Sequence, residues 1–281
     1  MAGFEQPGST DDEQAEARLV EAAQHGDRAA ETALLARYEG PVYHFGLRFC
    51  RDPEDARDVL QETLLAAARG LPSYRGEAAL GTWLYAIARS FCIKQRRRQL
   101  RAAPLASSAS TDEEARAVPD PAAPPDEAAI AHELSGNVQR AIAALARPYR
   151  EVLVLRDVEG LTAPEVAAAL GIGVDAVKSR LHRARVAVRE ELAPLVGSVD
   201  PPAHGCPDVL ALFSRHLEGQ VDARLCEEME RHLSSCRRCA AACNGLKRTL
   251  SLCAATRGAG VPPPVQASVR RAVRELLRTE G

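Results

Sequence analysis

Residues 161–191 constrain the chain more tightly than any other stretch. The segment 161–170 reads Leu-Thr-Ala-Pro-Glu-Val-Ala-Ala-Ala-Leu, and every position in it suits one short helix. Thr162 is a candidate N-cap, Pro164 is tolerated in the first turn, and Glu165 follows Thr162 by three residues, as a capping box requires. Gly171-Ile172-Gly173 stops this helix and turns the chain sharply. Residues 174–191 then restart the helical period with Val177, Leu181, Ala184 and Val188 inward. Small alanines on the first helix let the second cross it closely. The outward face of the second helix carries Lys178, Ser179, Arg180, His182, Arg183, Arg185 and Arg189, with five Lys/Arg against one acid between Asp175 and Arg189. An ordinary helical hairpin can carry a basic face, but here caps, turn and one-sided charge agree on a helix-turn-helix whose second helix lies in a DNA major groove. Its N-terminal part is expected to meet base edges and the rest phosphates. Val152, Leu153, Leu155 and Val158 predict a supporting helix over 145–158.

The rest of the chain also reads as helix. Aromatics make up 4% of the 281 residues while alanine and leucine abound, which argues against strand-rich architectures and for an all-α fold of two or three units. The expected organisation is a disordered lead-in at 1–18, a helical unit at 19–101, a linker at 102–126, the helix-turn-helix unit at 127–196 and a cysteine-rich unit at 203–256. The linker holds five prolines, five acids and one arginine, too little apolar area to offset the entropy of ordering. After Pro262-Pro263-Pro264, a short amphipathic helix is expected at 265–278, with Val265, Val269, Val273, Leu276 and Leu277 on one side and Arg270, Arg271, Arg274 and Arg278 on the other. No run approaches the roughly 18 apolar residues of a membrane span. The first 31 residues hold eight acids and two bases, unlike a signal or transit peptide, so a cytoplasmic protein without membrane contact is expected.

In the first helical unit, Asp52-Pro53-Glu54-Asp55 announces a helix with an Asp N-cap, Pro in the first position and acids in the first turn. Ala56, Val59, Leu60, Thr63, Leu64 and Ala67 form its buried stripe, which leaves Asp58, Gln61 and Glu62 on the solvent side. Residues 74–101 combine the only Trp, two Tyr and, after Glu77, six bases with no acid. Aromatics interleaved with bases suit single-stranded nucleic acid, through stacking and phosphate attraction. Helical spacing makes Trp83 and Ile87 mainly core, and leaves the Arg96-Arg97-Arg98 edge for phosphate.

Six of eight cysteines fall within 206–253. His232-Leu-Ser-Ser-Cys236-Arg-Arg-Cys239 places an imidazole and two thiols at i, i+4 and i+7, so a helix ending in a turn can converge them on one tetrahedral zinc ion. A fourth ligand must come from elsewhere. Cys206, across an apparent helix at 207–218, is the first candidate and His204 the reserve. Cys226, Cys243 and Cys253 exceed one tetrahedral site. Cys226 reads as core beside Met229 and Leu233, while Cys243, four residues after Cys239, adds a soft thiolate of the kind that favours Cu(I) or zinc. Four protein ligands leave no open position for metal-assisted catalysis, and no acid–base pair or phosphate loop accompanies them, which argues against an enzyme.

Asp-Pro-Glu-Asp-Ala-Arg-Asp-Val-Leu-Gln-Glu-Thr at 52–63, Thr-Trp-Leu-Tyr-Ala-Ile-Ala-Arg-Ser at 82–90 and the helix-turn-helix at 161–189, in that order, resemble the extracytoplasmic-function (ECF) sigma factors of bacterial RNA polymerase. The resemblance implies that Asp58, Gln61 and Glu62 dock on the clamp coiled coil of core RNA polymerase. It also implies that residues around 72–98 recognise the promoter minus-10 element and residues 174–185 the minus-35 element. Ser90 stands where the family often has Asn, and Cys92-Ile93-Lys94-Gln95 replaces a commonly Asp-containing stretch. The Cys206…His232-x3-Cys236-x2-Cys239 layout is similar to zinc-binding anti-sigma domains. A fused Cys-rich tail of this kind resembles a copper- and cadmium-responsive subclass, which implies intramolecular contact between the tail and the sigma domains. A stand-alone helix-turn-helix regulator is the alternative, and it needs neither the 58/61/62 face nor the basic-aromatic 74–101 stretch.

Overall fold

The computed structural model describes residues 10–50, 52–102, 125–198, 205–257 and 260–279, and it is helical throughout them, with no strand. The chain divides into two compact units, 1–118 with 258–281, and 119–257.

The first unit begins with α1 (Thr10–Gln24), α2 (Arg28–Arg37), α3 (Glu39–Cys50), α4 (Pro53–Gly70) and α5 (Leu80–Ala102). Residues 10–18, expected to be unstructured, form the first turns of α1. Their side chains find partners on the neighbouring helix, since the Tyr38 hydroxyl donates to Glu16 at 2.7 Å and Arg37 lies 3.9 Å from Asp12. As the sequence anticipates, Asp52 caps α4, its carboxylate accepting from the Glu54 and Asp55 amides. Val42, Phe45, Leu60, Leu64, Leu84 and Ala88 form the core among α3, α4 and α5. Glycine at position 46 eases the approach of α3 to α4, because a Cβ there would meet the Ala56 backbone at 3.1 Å. Asp55 then ties α4 to α5 by accepting from Gln95 and Gln99, both at 2.7 Å.

The second unit contains α6 (Pro125–Ala144), α7 (Arg147–Leu153), a π-helical turn (Val154–Val158), α8 (Ala163–Leu170), α9 (Val174–Glu191), α10 (Ala193–Val196), α11 (Val209–Leu217), α12 (Ala223–Ser235) and α13 (Arg237–Ala255). Both halves of the expected Thr162/Glu165 capping box form, and Gly171 closes α8 in the left-handed conformation at φ 64°. Val177, Leu181, Ala184 and Val188 are fully buried, as their period requires. The supporting helix is shorter than expected and ends in the π turn, which keeps Val154, Leu155 and Val158 inside. Behind it, α11 and α13 share a core of Val209, Phe213, Cys239, Ala242, Cys243, Leu246 and Leu250. Both helices also pack against α9. Gly245 of α13 lies against the Arg189 side chain, where a Cβ would come within 3.1 Å of Nε. The end of α13 is anchored by Arg257, whose Nε donates to the Val158 carbonyl at 2.8 Å.

One last helix, α14 (Pro263–Thr279), belongs to the first unit and packs on α4 through Val269, Val273 and Leu277. At its N-terminal end Arg270 and Gln266 both donate to the buried Glu39 carboxylate, at 2.8–2.9 Å.

Candidate metal centre and nucleic-acid surfaces

Cys206, His232, Cys236 and Cys239 bring their ligand atoms within 4.8 Å of one another. The local structure explains the convergence. His232 lies in the last turn of α12, Cys236 closes that helix and opens α13, and Cys239 sits in the first turn of α13. Cys206 comes from the segment ahead of α11, its Sγ 3.9 Å from that of Cys236. The Nε2 of His232 is buried without a hydrogen-bond partner, the condition of an imidazole nitrogen facing a cation. The Cys236 thiol is pulled below its ordinary pKa by the Cys239 backbone N–H and then the Cys239 thiol, while burial and the neighbouring thiols push Cys239 up. Three crowded sulfurs cannot all ionise without a central positive charge. Three thiols and one imidazole are a structural zinc set, and the residues fit that ion.

The surplus cysteines do not join this centre, which corrects the expectation of added ligands among them. Cys243 and Cys253 are buried in the packing of α13. Burial raises the Cys243 thiol pKa, and its Sγ points at the Val209 carbonyl. Cys226 is only half-buried and stands 3.3 Å from Nδ1 of His216, instead of joining the core. His204, the reserve ligand, lies outside the described residues.

On α4, Asp58 and Glu62 are exposed and Gln61 is half-buried, so all three share the outward side. Arg96, Arg97 and Arg98 are exposed on α5. Trp83 and Ile87 are half-buried and not core, because Leu84, Tyr85 and Ala88 fill that role. Trp83 instead lies across Gly70 and beside Tyr74, ring centroids 5.2 Å apart. With Arg75, Glu77 and Ala78 these residues line an open recess of about 400 Å³, its aromatic wall flanked by one base and one acid.

On α9 the expected DNA face splits in two. Ser179 and Arg183 are exposed, and Lys178, Arg180 and His182 are partly so. Arg185 is not available to phosphate. It is 1% exposed, donates to both Asp157 oxygens at 2.7 and 2.8 Å, and donates to Glu218 at 2.8 Å. Burial works against its charge, but Asp157 and Glu218 outweigh it and raise the guanidinium pKa. Arg156 holds the same Glu218 from the other side at 3.2 Å. Arg185 points toward the end of α11 and the π turn, not into solvent. Local pattern carried no signal of it, since Glu218 is 33 residues away.

Residues 34–102 match the Sigma-70 region 2 family, residues 135–188 the Sigma-70 region 4 family, and residues 206–240 a zinc-finger family. The chain is therefore of the sigma-70 class, with a zinc-finger segment beyond the two DNA- and polymerase-binding regions. It is 33% identical over 183 residues to the RNA polymerase sigma-H factor of Pseudomonas aeruginosa, covering 64% of this chain and 94% of that protein. It is 34% identical over 182 residues to the ECF RNA polymerase sigma-E factor of Salmonella typhimurium, covering 63% and 94%. A solved structure of CnrH in complex with the cytosolic domain of CnrY is similar at 26% identity and a TM-score of 0.46, covering 64% of this chain and 99% of that one. The chain belongs to the ECF RNA polymerase sigma factors. As a promoter-specificity subunit it acts with core RNA polymerase on promoter DNA, which sets aside the stand-alone regulator. Among the described residues no helix is long and apolar enough to cross a membrane.

Proposed function

We propose that this sigma factor is restrained by its own C-terminal segment, whose fold is kept by zinc at Cys206, His232, Cys236 and Cys239. The observation that carries the reading is the sealing of Arg185 by Glu218, which closes α11 over the C-terminal half of the basic helix α9. Asp58, Gln61 and Glu62 dock on the polymerase clamp coiled coil. The recess at Tyr74 and Trp83, with Arg96, Arg97 and Arg98, serves the minus-10 element. Lys178, Ser179, Arg180, His182 and Arg183 serve the minus-35 element. The packing of α14 on α4, the helix that carries Asp58, Gln61 and Glu62, supports a second restraint that acts through the helix and leaves Asp58 and Glu62 exposed. Loss of the ion, its replacement by a thiophilic ion such as copper or cadmium, or oxidation of the thiols loosens the segment and frees α9. All of this takes place in the cytoplasm.

Run-off transcription with purified core polymerase tests the reading. The full chain is compared with a 1–200 truncation, which keeps both matched sigma regions, each with zinc, copper or cadmium. A constitutive truncation beside a full chain that answers to one ion supports it. A dead truncation beside an active metal-loaded chain makes the segment an activator and overturns the restraint.

A further inference from the structure

The two cysteines outside the zinc-finger segment look unrelated in sequence, yet the fold brings them together. Cys50 is the last residue of α3 and Cys92 lies midway along α5, and their sulfurs are 3.0 Å apart. Both belong to the first unit, so neither is part of the metal centre. Cys92 is 7% exposed, whereas Cys50 is half-buried and within reach of a small solute. About one and two helical turns further along α5, Gln95 and Gln99 bind Asp55, which holds this part of the helix against the α3–α4 corner even when the thiols are reduced.

We propose that Cys50 and Cys92 are a redox-active dithiol whose oxidation to a disulfide bolts α3 to α5 within region 2. Closure needs the sulfurs to move about 1 Å nearer, to the roughly 2.0 Å of a disulfide, and the helices are already packed. The oxidant is a peroxide. The Cys50 thiolate attacks one peroxide oxygen, breaking the O–O bond, forming a sulfenic acid and releasing water. The Cys92 sulfur then attacks the sulfenic sulfur, forming the S–S bond and expelling a second water. Two thiols and one hydrogen peroxide thus give one disulfide and two waters, the two electrons passing to the peroxide. The cross-link stiffens the helix that carries Arg96, Arg97 and Arg98. Its effect on transcription rests on the sigma reading, whereas formation of the bond does not.

The test uses the full, zinc-loaded chain treated with hydrogen peroxide, alkylated, and digested with trypsin without reductant. Mass spectrometry is expected to find Phe49-Cys50-Arg51 joined to Ser90-Phe91-Cys92-Ile93-Lys94, two hydrogen masses below the sum and split by dithiothreitol. Recovery of both peptides separately alkylated after peroxide overturns the proposal, as does Cys50 joined only to tail cysteines. At peroxide doses that leave the zinc bound, the basal run-off transcription of the reduced chain from a duplex promoter is expected to fall roughly fivefold or more, to recover with dithiothreitol, and not to fall in Cys50→Ser and Cys92→Ser chains. Equal peroxide sensitivity in both variants overturns the regulatory consequence. A full, zinc-loaded chain that is silent when reduced is the state the tail restraint predicts, and the cross-linked peptide then decides the thiol proposal alone.

Discussion

The C-terminal segment meets the two sigma regions in two different ways. Against α9 the contact is built on charge withdrawn from water: Arg185 is 1% exposed, Asp157 7% and Glu218 3%. Against α4 the contact is an apolar stripe of Val269, Val273 and Leu277, with one ion pair at its edge whose arginine is 47% exposed. A buried charge network is geometrically demanding and fails when one partner is removed, because the survivors stay desolvated. An apolar stripe fails by degrees, a methyl group at a time. The first contact therefore suits an all-or-none seal and the second a graded one.

The largest effect is expected at the metal centre, because the α11–α13 side of the first contact depends on it. Apparent binding free energies of structural zinc sites are about 10–16 kcal/mol, far more than any single packing contact. His232→Ala, or a strong chelator on the intact chain, is expected to release one equivalent of zinc and lower helicity by circular dichroism. Retention of both metal and helicity after His232→Ala would remove His232 from the ligand set. Next comes Asp157→Ala, which leaves Arg185 buried with Glu218 as its only carboxylate. A cost of about 3–5 kcal/mol in urea unfolding of the second unit is expected. A value near zero would mean that water reaches the network, and the contrast between the two contacts would collapse.

How far each contact was legible follows from its range along the chain. The helix-turn-helix is written within thirty-odd residues, so caps, glycine turn and buried period could be read without tertiary knowledge. Three of the four metal ligands are likewise local, at His232, Cys236 and Cys239, whereas Cys206 needed family resemblance. Arg185 looked like one more base on a basic face, and only Glu218, 33 residues on, turns it inward. The same holds for Arg270 and Glu39, separated by 231 residues, and for Cys50 and Cys92, separated by 42. At Trp83 a helical period alone cannot tell which neighbouring position faces the bundle, and it is Leu84 and Tyr85 that do.

The stripe on α4 gives smaller effects. Leu277 is 8% exposed at the end of α14, so Leu277→Ala is expected to cost about 2 kcal/mol, the low end for an aliphatic truncation. Undocking of α14 is its readout, followed by hydrogen exchange along 263–279. Because Asp58 and Glu62 stay exposed with α14 docked, a rise in affinity for core polymerase in this variant would show that α14 restrains α4 by packing rather than by covering the face. An unchanged affinity with an undocked helix would separate packing from regulation.

Arg270→Ala is the mildest case. Glu39 is buried and accepts from both Gln266 and Arg270, so the substitution removes two of its three bonds but not its last donor. Because the Arg270 side chain is 47% exposed, water already screens most of the attraction, and exposed pairs are worth about 1 kcal/mol or less. The space left by Arg270 also admits water to the Glu39 carboxylate, which offsets part of the loss. The expected cost is therefore below about 1 kcal/mol and shrinks further as ionic strength rises, since a rim pair is open to counterions. Measured across a salt series, the difference between Arg270→Ala and the parent chain should converge toward zero, whereas the cost of Asp157→Ala should stay nearly constant. A salt-insensitive Arg270 effect would place this pair in the same buried class as Arg185, and the two contacts would then hold by one mechanism rather than two.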